Sequence, residues 1–317
     1  MEEFLASGDE RTATWPLSWS PIPVLAIVAV YLFSVVFIPN FMKDRPAYNL
    51  RTFLLVFNAF QVSFALRIFL EFVQLVVLSK YSFVCQPVDT SLDPLAIRMA
   101  ENIWRFYISK VIDLMDTVMF LLRKKTSQVT FLHVYHHFSQ AIIWWIAVRF
   151  APGGNSFFIG LLNSFVHAVM YSYYFLSSLG PGVARYLWWK KYLTTLQMVQ
   201  LSAIIVHSAL PFFYPCEFSK RIMATSFFYT ISILGLFAAF YRKTYILKAK
   251  KKIHSESLKT ELVPENGILS NGASSSPRIS KNPSLSSSSN GIVTNNVSTT
   301  LQQRRTVAAV IPKARDP

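Results

Sequence analysis

The chain has 317 residues and a formal net charge of +15, and 52% of its residues are hydrophobic. Several apolar stretches reach the roughly 20 residues needed to cross a bilayer, which indicates an integral membrane protein and excludes a small soluble domain. The positive charge collects on alternate loops, as it does in membrane proteins of fixed orientation, so we expect no nucleic acid partner.

The apolar stretches predict an all-α, polytopic fold with seven transmembrane helices. The predicted spans are residues 21–41, 52–79, 99–122, 131–150, 156–179, 192–213 and 222–241. The third and sixth spans are the least apolar. We divide the chain into an N-terminal arm (1–20), a seven-helix membrane domain (21–245) and a tail (246–317) that is predicted to be disordered because it has few large apolar residues.

The distribution of basic residues predicts the orientation of the chain. The loops on one predicted side hold fifteen Lys and Arg, and those on the other side, with the arm, hold six. The richer loops are 42–51, 123–130, 180–191 and 242–252. We therefore expect a lumenal N-terminus and a cytosolic C-terminus. Cys85 and Cys216, the only cysteines, then lie in lumenal loops, where we expect a disulfide between them in preference to two free thiols.

A cluster of histidines is the main sign of chemistry. His133, His136 and His137 lie at positions i, i+3 and i+4 near the start of the fourth span, so they share one face of a helix. His167 lies in the fifth span. Ionisable groups inside a membrane segment are costly and usually functional. The cluster therefore predicts a catalytic site.

The neighbouring spans each carry a polar stripe at helical spacing. The stripes are Lys110, Asp113, Asp116 and Thr117 in the third span, Asn163, His167, Tyr171 and Tyr174 in the fifth, and Thr194, Gln197 and Gln200 in the sixth. These residues predict one polar chamber in the cytosolic half of the membrane. Two structural alternatives stay open: Lys110 and Asp113 as an ion pair between helix turns, and the two glutamines as hydrogen bonds between helices.

Three kinds of chemistry fit such a chamber. A membrane desaturase or hydroxylase would use the histidines to bind metal, but four imidazoles with Asp116 are too few for a di-iron site, although they suffice for one metal. A seven-span receptor or transporter would not need a triple-imidazole cluster. An acyltransferase would use neutral imidazole as nucleophile and base, since no cysteine is available at this depth and imidazole attacks thioesters at neutral pH.

Four ordered motifs resemble those of the fatty acid elongases, the membrane 3-ketoacyl-CoA synthases. The matching segments are 110–117 (K-x-x-D-x-x-D-T), 133–137 (H-x-x-H-H), 163–174 (N-x-x-x-H-x-x-M-Y-x-Y-Y) and 194–200 (T-x-x-Q-x-x-Q). The resemblance covers about residues 15–250. Asp113 departs from the family pattern, which has Glu at this position. Gln128 and the segments 131–135 and 187–190 resemble the polyunsaturated and very-long-chain branch.

The resemblance implies condensation of a long or very long acyl-CoA with malonyl-CoA, with loss of CO2 and CoA, and without a metal or other cofactor. It also implies a barrel of six helices around a narrow substrate tunnel. His136 is then the acylated nucleophile, His167 assists attack of the malonyl carbon, His133 and His137 orient and tune His136, and Asp116 fixes an imidazole tautomer. The residues expected to line the substrate are Lys110, Asp113, Asn163, Tyr171, Tyr174, Gln197 and Gln200.

Further expectations concern the ends of the molecule and its partners. The CoA phosphates are expected at a basic cytosolic mouth formed by Arg123, Lys124, Lys125, Lys190 and Lys191. The resemblance implies the endoplasmic reticulum membrane, contact with membrane lipid, and oligomers with other elongases or with the reductase and dehydratase of the cycle. Lys313 and Arg315 resemble a short retrieval signal of that compartment.

Overall fold

The computed structural model describes residues 7–261 of the chain. Within that part the regular structure is helical, without a β-strand, and seven helices have 20 residues or more. They are α1 (Pro21–Phe41), α2 (Arg51–Leu78), α3 (Pro94–Leu122), α4 (Phe131–Phe150), α5 (Ser156–Ser178), α6 (Lys190–Phe213) and α7 (Lys220–Tyr241). Shorter 3-10 and α-helical turns lie at Glu10–Thr12, Thr126–Gln128 and Pro181–Ala184.

Local side chains determine where several helices begin. Ser20 accepts a hydrogen bond from the backbone N–H of Ile22, and Asp93 accepts one from Leu95, and in both cases proline follows the capping residue. Thr130 caps α4 by accepting a bond from the backbone N–H of His133, at 3.3 Å. The first histidine of the cluster is thus held in the first turn of its helix.

The predicted disordered tail begins with helix. A π-helix, Arg242–Ile246, follows α7 and is followed by α8 (Leu247–Glu261). The segment Leu247–Glu261 of the predicted tail is helical, which its content of Leu, Ala, Lys and Glu, all strong helix formers, favours. The remainder of the predicted tail, with Lys313 and Arg315, lies outside the described residues. The chain divides into one compact unit ending at Lys251 and a second beginning at Lys252.

The long helices of the first unit pack in a defined order. Each of α2 to α7 contacts two neighbours in the order α2, α3, α4, α7, α6, α5 and back to α2, and α3 also contacts α5. Helix α1 packs against α3 and α4. Helices α2 and α5 approach each other closely, since a Cβ on Gly160 would lie 2.6 Å from the ring of Phe72. The core beside it is aromatic, with the rings of Phe106 and Trp144 4.4 Å apart.

Four helical segments of the described part are long and apolar enough to cross a membrane: Pro21–Phe41, Arg51–Leu78, Lys190–Phe213 and Lys220–Ser255. The chain is therefore a multi-pass membrane protein. Helices α3, α4 and α5 have the required length, but their polar residues lower the hydropathy. In α3 those residues are turned into the bundle, where Lys110, Asp113 and Asp116 are at most 5% exposed.

Contacts between connecting segments define two ends of the bundle. At the basic end, which comprises residues 42–51, 122–130 and 178–191, Arg51 donates to the backbone oxygens of Ser178 and Leu179, and Lys124 donates to that of Lys43. At the other end, here called the disulfide end, Cys85 and Cys216 are joined. Successive long helices therefore run in alternate directions between the two ends.

The N-terminal arm packs on the disulfide end. Arg149, at the end of α4, is 3% exposed and donates to the backbone oxygen of Asp9 at 2.9 Å. Trp104 donates to the backbone oxygen of Pro16 and Tyr107 to that of Leu17. This end of the helices is thus covered by the arm and by the disulfide-linked loops.

Candidate active site

Lys110 is the centre of a buried polar network between α3 and α5. Its ammonium lies 3.0 Å from Asp113 Oδ2, 3.1 Å from Asn163 Oδ1 and 3.3 Å from His167 Nδ1. A lysine ammonium has three protons to donate and no lone pair. When the three contacts use them all, His167 accepts at Nδ1, and its own proton in the neutral ring is on Nε2.

Asp113 receives hydrogen bonds from three different helices. Lys110 lies on its own helix, Gln61 of α2 donates at 2.7 Å, and Tyr171 of α5 donates at 2.8 Å. The shorter side chain at this position therefore still reaches its surroundings. A buried carboxylate is stable only when it is paired and hydrogen-bonded in this way.

Asp116 shares the hydroxyl of Tyr171 with Asp113. The hydroxyl oxygen lies 2.7 Å from Asp116 Oδ2 and 2.8 Å from Asp113 Oδ1. One phenolic proton cannot serve two carboxylates, so one of the acids has to donate to the phenolic oxygen. Asp113 is paired with Lys110, so Asp116 is the protonated partner. Asp116 was expected to fix an imidazole tautomer, but its hydrogen bond goes to Tyr171 instead.

The partner of His133 is a hydroxyl of α3. His133 Nε2 lies 2.8 Å from Thr117 Oγ1, and Thr117 Oγ1 lies 3.0 Å from the hydroxyl of Tyr31 on α1. Thr117 is fully buried, and Tyr31 is 4% exposed. The chain of contacts connects α1 to the histidine cluster through α3.

His136 and His137 differ from the other two histidines. The ring of His137 lies 4.2 Å from that of His133 and 5.8 Å from that of His136, measured between centroids. Nδ1 of each of the two rings is buried without a hydrogen-bond partner in the described part of the chain. These are therefore the imidazole nitrogens left free to bind a substrate atom.

A narrow cavity of about 10 Å³ adjoins the network. It is lined by Lys110, Asp113, His167, Tyr171, Gln61 and Phe106, among others. This volume is roughly that needed for one water molecule, so a long acyl chain requires neighbouring side chains to move apart.

The remaining expected residues lie around this network or at the basic end. The ring of Tyr174 packs edge-to-face on Tyr171, Gln197 contacts the sulfur of Met170, and Gln200 is buried on α6. Lys124, Lys125, Lys190 and Lys191 are exposed at the basic end, and Arg123 is half-buried there. The two cysteines are at the disulfide end, away from the histidines.

Two residues of the site were missed in the sequence. Gln61 and Tyr31 lie on α2 and α1, in which no polar stripe was recognised, whereas the other polar residues were found as stripes at helical spacing. Asn58 and Gln61, buried at i and i+3 on α2, are a short signal of the same kind, but the polar residues on other faces of α2 mask it. Only the packing of α1 and α2 against α3 identifies them.

One known protein family matches most of the chain. Residues 16–253 match the model of the ELO family, described as the GNS1/SUR4 family. The chain belongs to the GNS1/SUR4 family. All the residues of the polar network lie inside the matched region.

Several relatives in the GNS1/SUR4 family carry a functional name. Very long chain fatty acid elongase 4 of Mus musculus is 41% identical over 275 residues, which are 87% of this chain and 86% of the relative. The protein of the same name in Homo sapiens is 41% identical over 271 residues, 86% and 84% of the two chains. Very long chain fatty acid elongase 7 of Drosophila melanogaster is 42% identical over 250 residues, 77% and 75%.

Proposed function

We propose that this chain is an enzyme of fatty acid elongation that joins a long or very long acyl-CoA to malonyl-CoA. The products are CO2, free CoA and a 3-ketoacyl-CoA two carbons longer. The names of its relatives support fatty acid elongation. The observation that carries the chemistry is the pair of half-buried imidazoles, His136 and His137, whose buried Nδ1 atoms have no hydrogen-bond partner in the described part of the chain, while Lys110, Asp113 and Tyr171 are hydrogen-bonded to one another.

The first half-reaction forms an acyl-histidine. The lone pair of an imidazole nitrogen of His136 attacks the thioester carbon, the carbon–sulfur bond breaks, and CoA leaves as a thiol after taking up a proton. A cysteine nucleophile is not available, because both cysteines are joined at the disulfide end. Neutral imidazole suits this step, since an imidazolium has no lone pair to donate.

The second half-reaction forms the new carbon–carbon bond. Malonyl-CoA loses CO2, and the electron pair of the broken bond attacks the acyl carbon while the bond to His136 breaks. His167 has the orientation for this step, because Lys110 holds its Nδ1 and leaves the Nε2 proton for the enolate or carbonyl oxygen. His133 and His137 position His136. No step requires a metal or another cofactor.

The proposed architecture places this chemistry in a six-helix barrel with α1 on its outside. The circular packing order of α2 to α7 supports the barrel and a seven-span membrane domain. We infer that the basic end faces the cytosol of the endoplasmic reticulum and that the disulfide end faces the lumen. The exposed lysines at 124, 125, 190 and 191 are then placed to bind CoA phosphates.

The intact mass of the purified protein after incubation with acyl-CoA alone tests the chemistry. We expect a gain of one acyl group and its transfer when malonyl-CoA is added. His136→Ala should lose both the adduct and turnover, whereas the matched control His207→Ala, which changes a histidine near the disulfide end, should keep both. Turnover by His136→Ala, or a product whose formation needs oxygen and a bound metal, would reject the proposal in favour of a metal-dependent desaturase or hydroxylase.

The role of the basic end is tested separately. Gln substitutions at Lys124, Lys125, Lys190 and Lys191 should raise the KM for malonyl-CoA severalfold at low salt, with less change in kcat. An unchanged KM in correctly oriented protein would restrict these residues to topology and lipid contact.

A further inference from the structure

Tyr31 contacts the candidate site from a helix outside the proposed barrel. Its hydroxyl is bonded only to Thr117 in the described part of the chain, and Thr117 bonds in turn to His133 Nε2. The phenol of Tyr31 contains neither the imidazole nitrogen nor the carboxylate that the proposed reaction uses. Its effect on the reaction has to pass through Thr117 and His133.

The proton count gives these two hydrogen bonds a direction. If Thr117 donated to Tyr31, the phenolic proton would be buried without an acceptor, which is costly. The satisfied arrangement has Tyr31 donating to Thr117 and Thr117 donating to His133 Nε2. His133 is then neutral, with its proton on Nδ1.

We propose that Tyr31 is a positioning residue that fixes the tautomer and ring orientation of His133 through Thr117. This inference rests on the proposed function, since His133 matters there because its ring lies 4.2 Å from that of His137 and positions the nucleophile. Without the phenolic donor, the hydroxyl of Thr117 is free to rotate and to accept a proton from Nε2. His133 then exchanges between two tautomers, and only one of them supports His136.

Three variants and one control test Tyr31. Tyr31→Phe should lower kcat roughly fivefold to tenfold with little change in KM, which is the loss expected for one hydrogen bond to a buried partner. Thr117→Val should lower kcat at least as far, and Thr117→Ser, which keeps the hydroxyl, should restore most of it. Tyr214→Phe removes the same group from an exposed residue at the disulfide end and should change neither constant.

A spectroscopic measurement separates positioning from general packing. In protein labelled with 15N-histidine, the His133 signals, assigned by comparison with His133→Asn, should show one protonated Nδ1 in the wild type and exchange between both nitrogens in Tyr31→Phe. An unchanged tautomer or an unchanged kcat in Tyr31→Phe overturns the inference. That failure differs from failure of the proposed function, in which His136→Ala would remain active.

Discussion

Removal of the Lys110 ammonium should destabilise the protein through Asp113. In Lys110→Met, the carboxylate loses its ion-pair partner at 3.0 Å while its side chain stays 5% exposed or less. Breaking a buried pair from one side typically costs about 3–5 kcal/mol, because a charge is left uncompensated. Gln61 and Tyr171 still donate to Asp113, so we expect a loss of about 3 kcal/mol in the free energy of unfolding.

The second substitution isolates the cause. In Lys110→Met/Asp113→Asn the charge is gone, and the amide oxygen still accepts from Gln61 and Tyr171, so most of the loss should be recovered. Thermal unfolding in detergent, followed by circular dichroism, should show the single variant melting about 6 °C below the wild type, at roughly 2 °C per kcal/mol. Lys220→Met at an exposed site is the control. A single variant that melts with the wild type, or a double variant no more stable than the single, would refute this reasoning.

Three further predictions concern residues outside the reacting cluster. The disulfide closes a loop across a sequence separation of 131 residues, so Cys85→Ser/Cys216→Ser should lower the free energy of unfolding by up to about 5 kcal/mol. The measurement is the melting temperature: reducing agent should lower it in the wild type, as the substitutions do, and should leave it unchanged in the variant. His207 is buried with both ring nitrogens unpartnered in the described structure, and its ring is stacked 4.1 Å from that of Phe158. His207→Phe should therefore raise the free energy of unfolding by about 1–3 kcal/mol, measured as a higher melting temperature. Gly154 has φ +52°, and a Cβ at this position would lie 2.9 Å from the backbone oxygen of Gln86, so Gly154→Ala should destabilise the protein by more than about 1 kcal/mol. Gly235 has open space around it, and Gly235→Ala should not have this effect. Equal melting temperatures of the two variants would contradict this prediction.

Hydropathy located the long helices well and their ends less well. The first predicted span, 21–41, coincides with α1, but the third, predicted from residue 99, begins at Pro94. Hydropathy marks the apolar middle of a helix, and the first turns of α3 contain polar residues. The Asp93-Pro94 pair is the local signal that sets this boundary, through the cap and the proline at the first helical position. Capping signals therefore add information that apolar periodicity lacks.

Spacing predicted which residues of each helix share a face, but not which partners they choose across helices. Lys110 and Asp113 do form the ion pair that was kept open as a structural alternative, and Lys110 also bonds to Asn163 and His167. A structural ion pair with Asp113 and a place for Lys110 in the candidate active site are thus compatible. The partner of a side chain depends on the rotation of each helix and on the distance between helix axes. The spacing of residues within one helix predicts neither quantity. The family resemblance assigned Asp116 to an imidazole, and the hydrogen bond that the structure shows for it goes to Tyr171.

The proton positions restrict which histidine can serve as the proposed nucleophile. Lys110 occupies Nδ1 of His167, and Thr117 occupies Nε2 of His133, so each of these rings has one nitrogen committed to a fixed partner. His136 and His137 have Nδ1 buried without a partner in the described part of the chain. An acyl-histidine intermediate needs a ring that can lose a proton from one nitrogen as the other gains a substituent. Among the four, we expect only His136 and His137 to do so without first breaking a buried hydrogen bond, which is why the acyl adduct should be sought on these two residues.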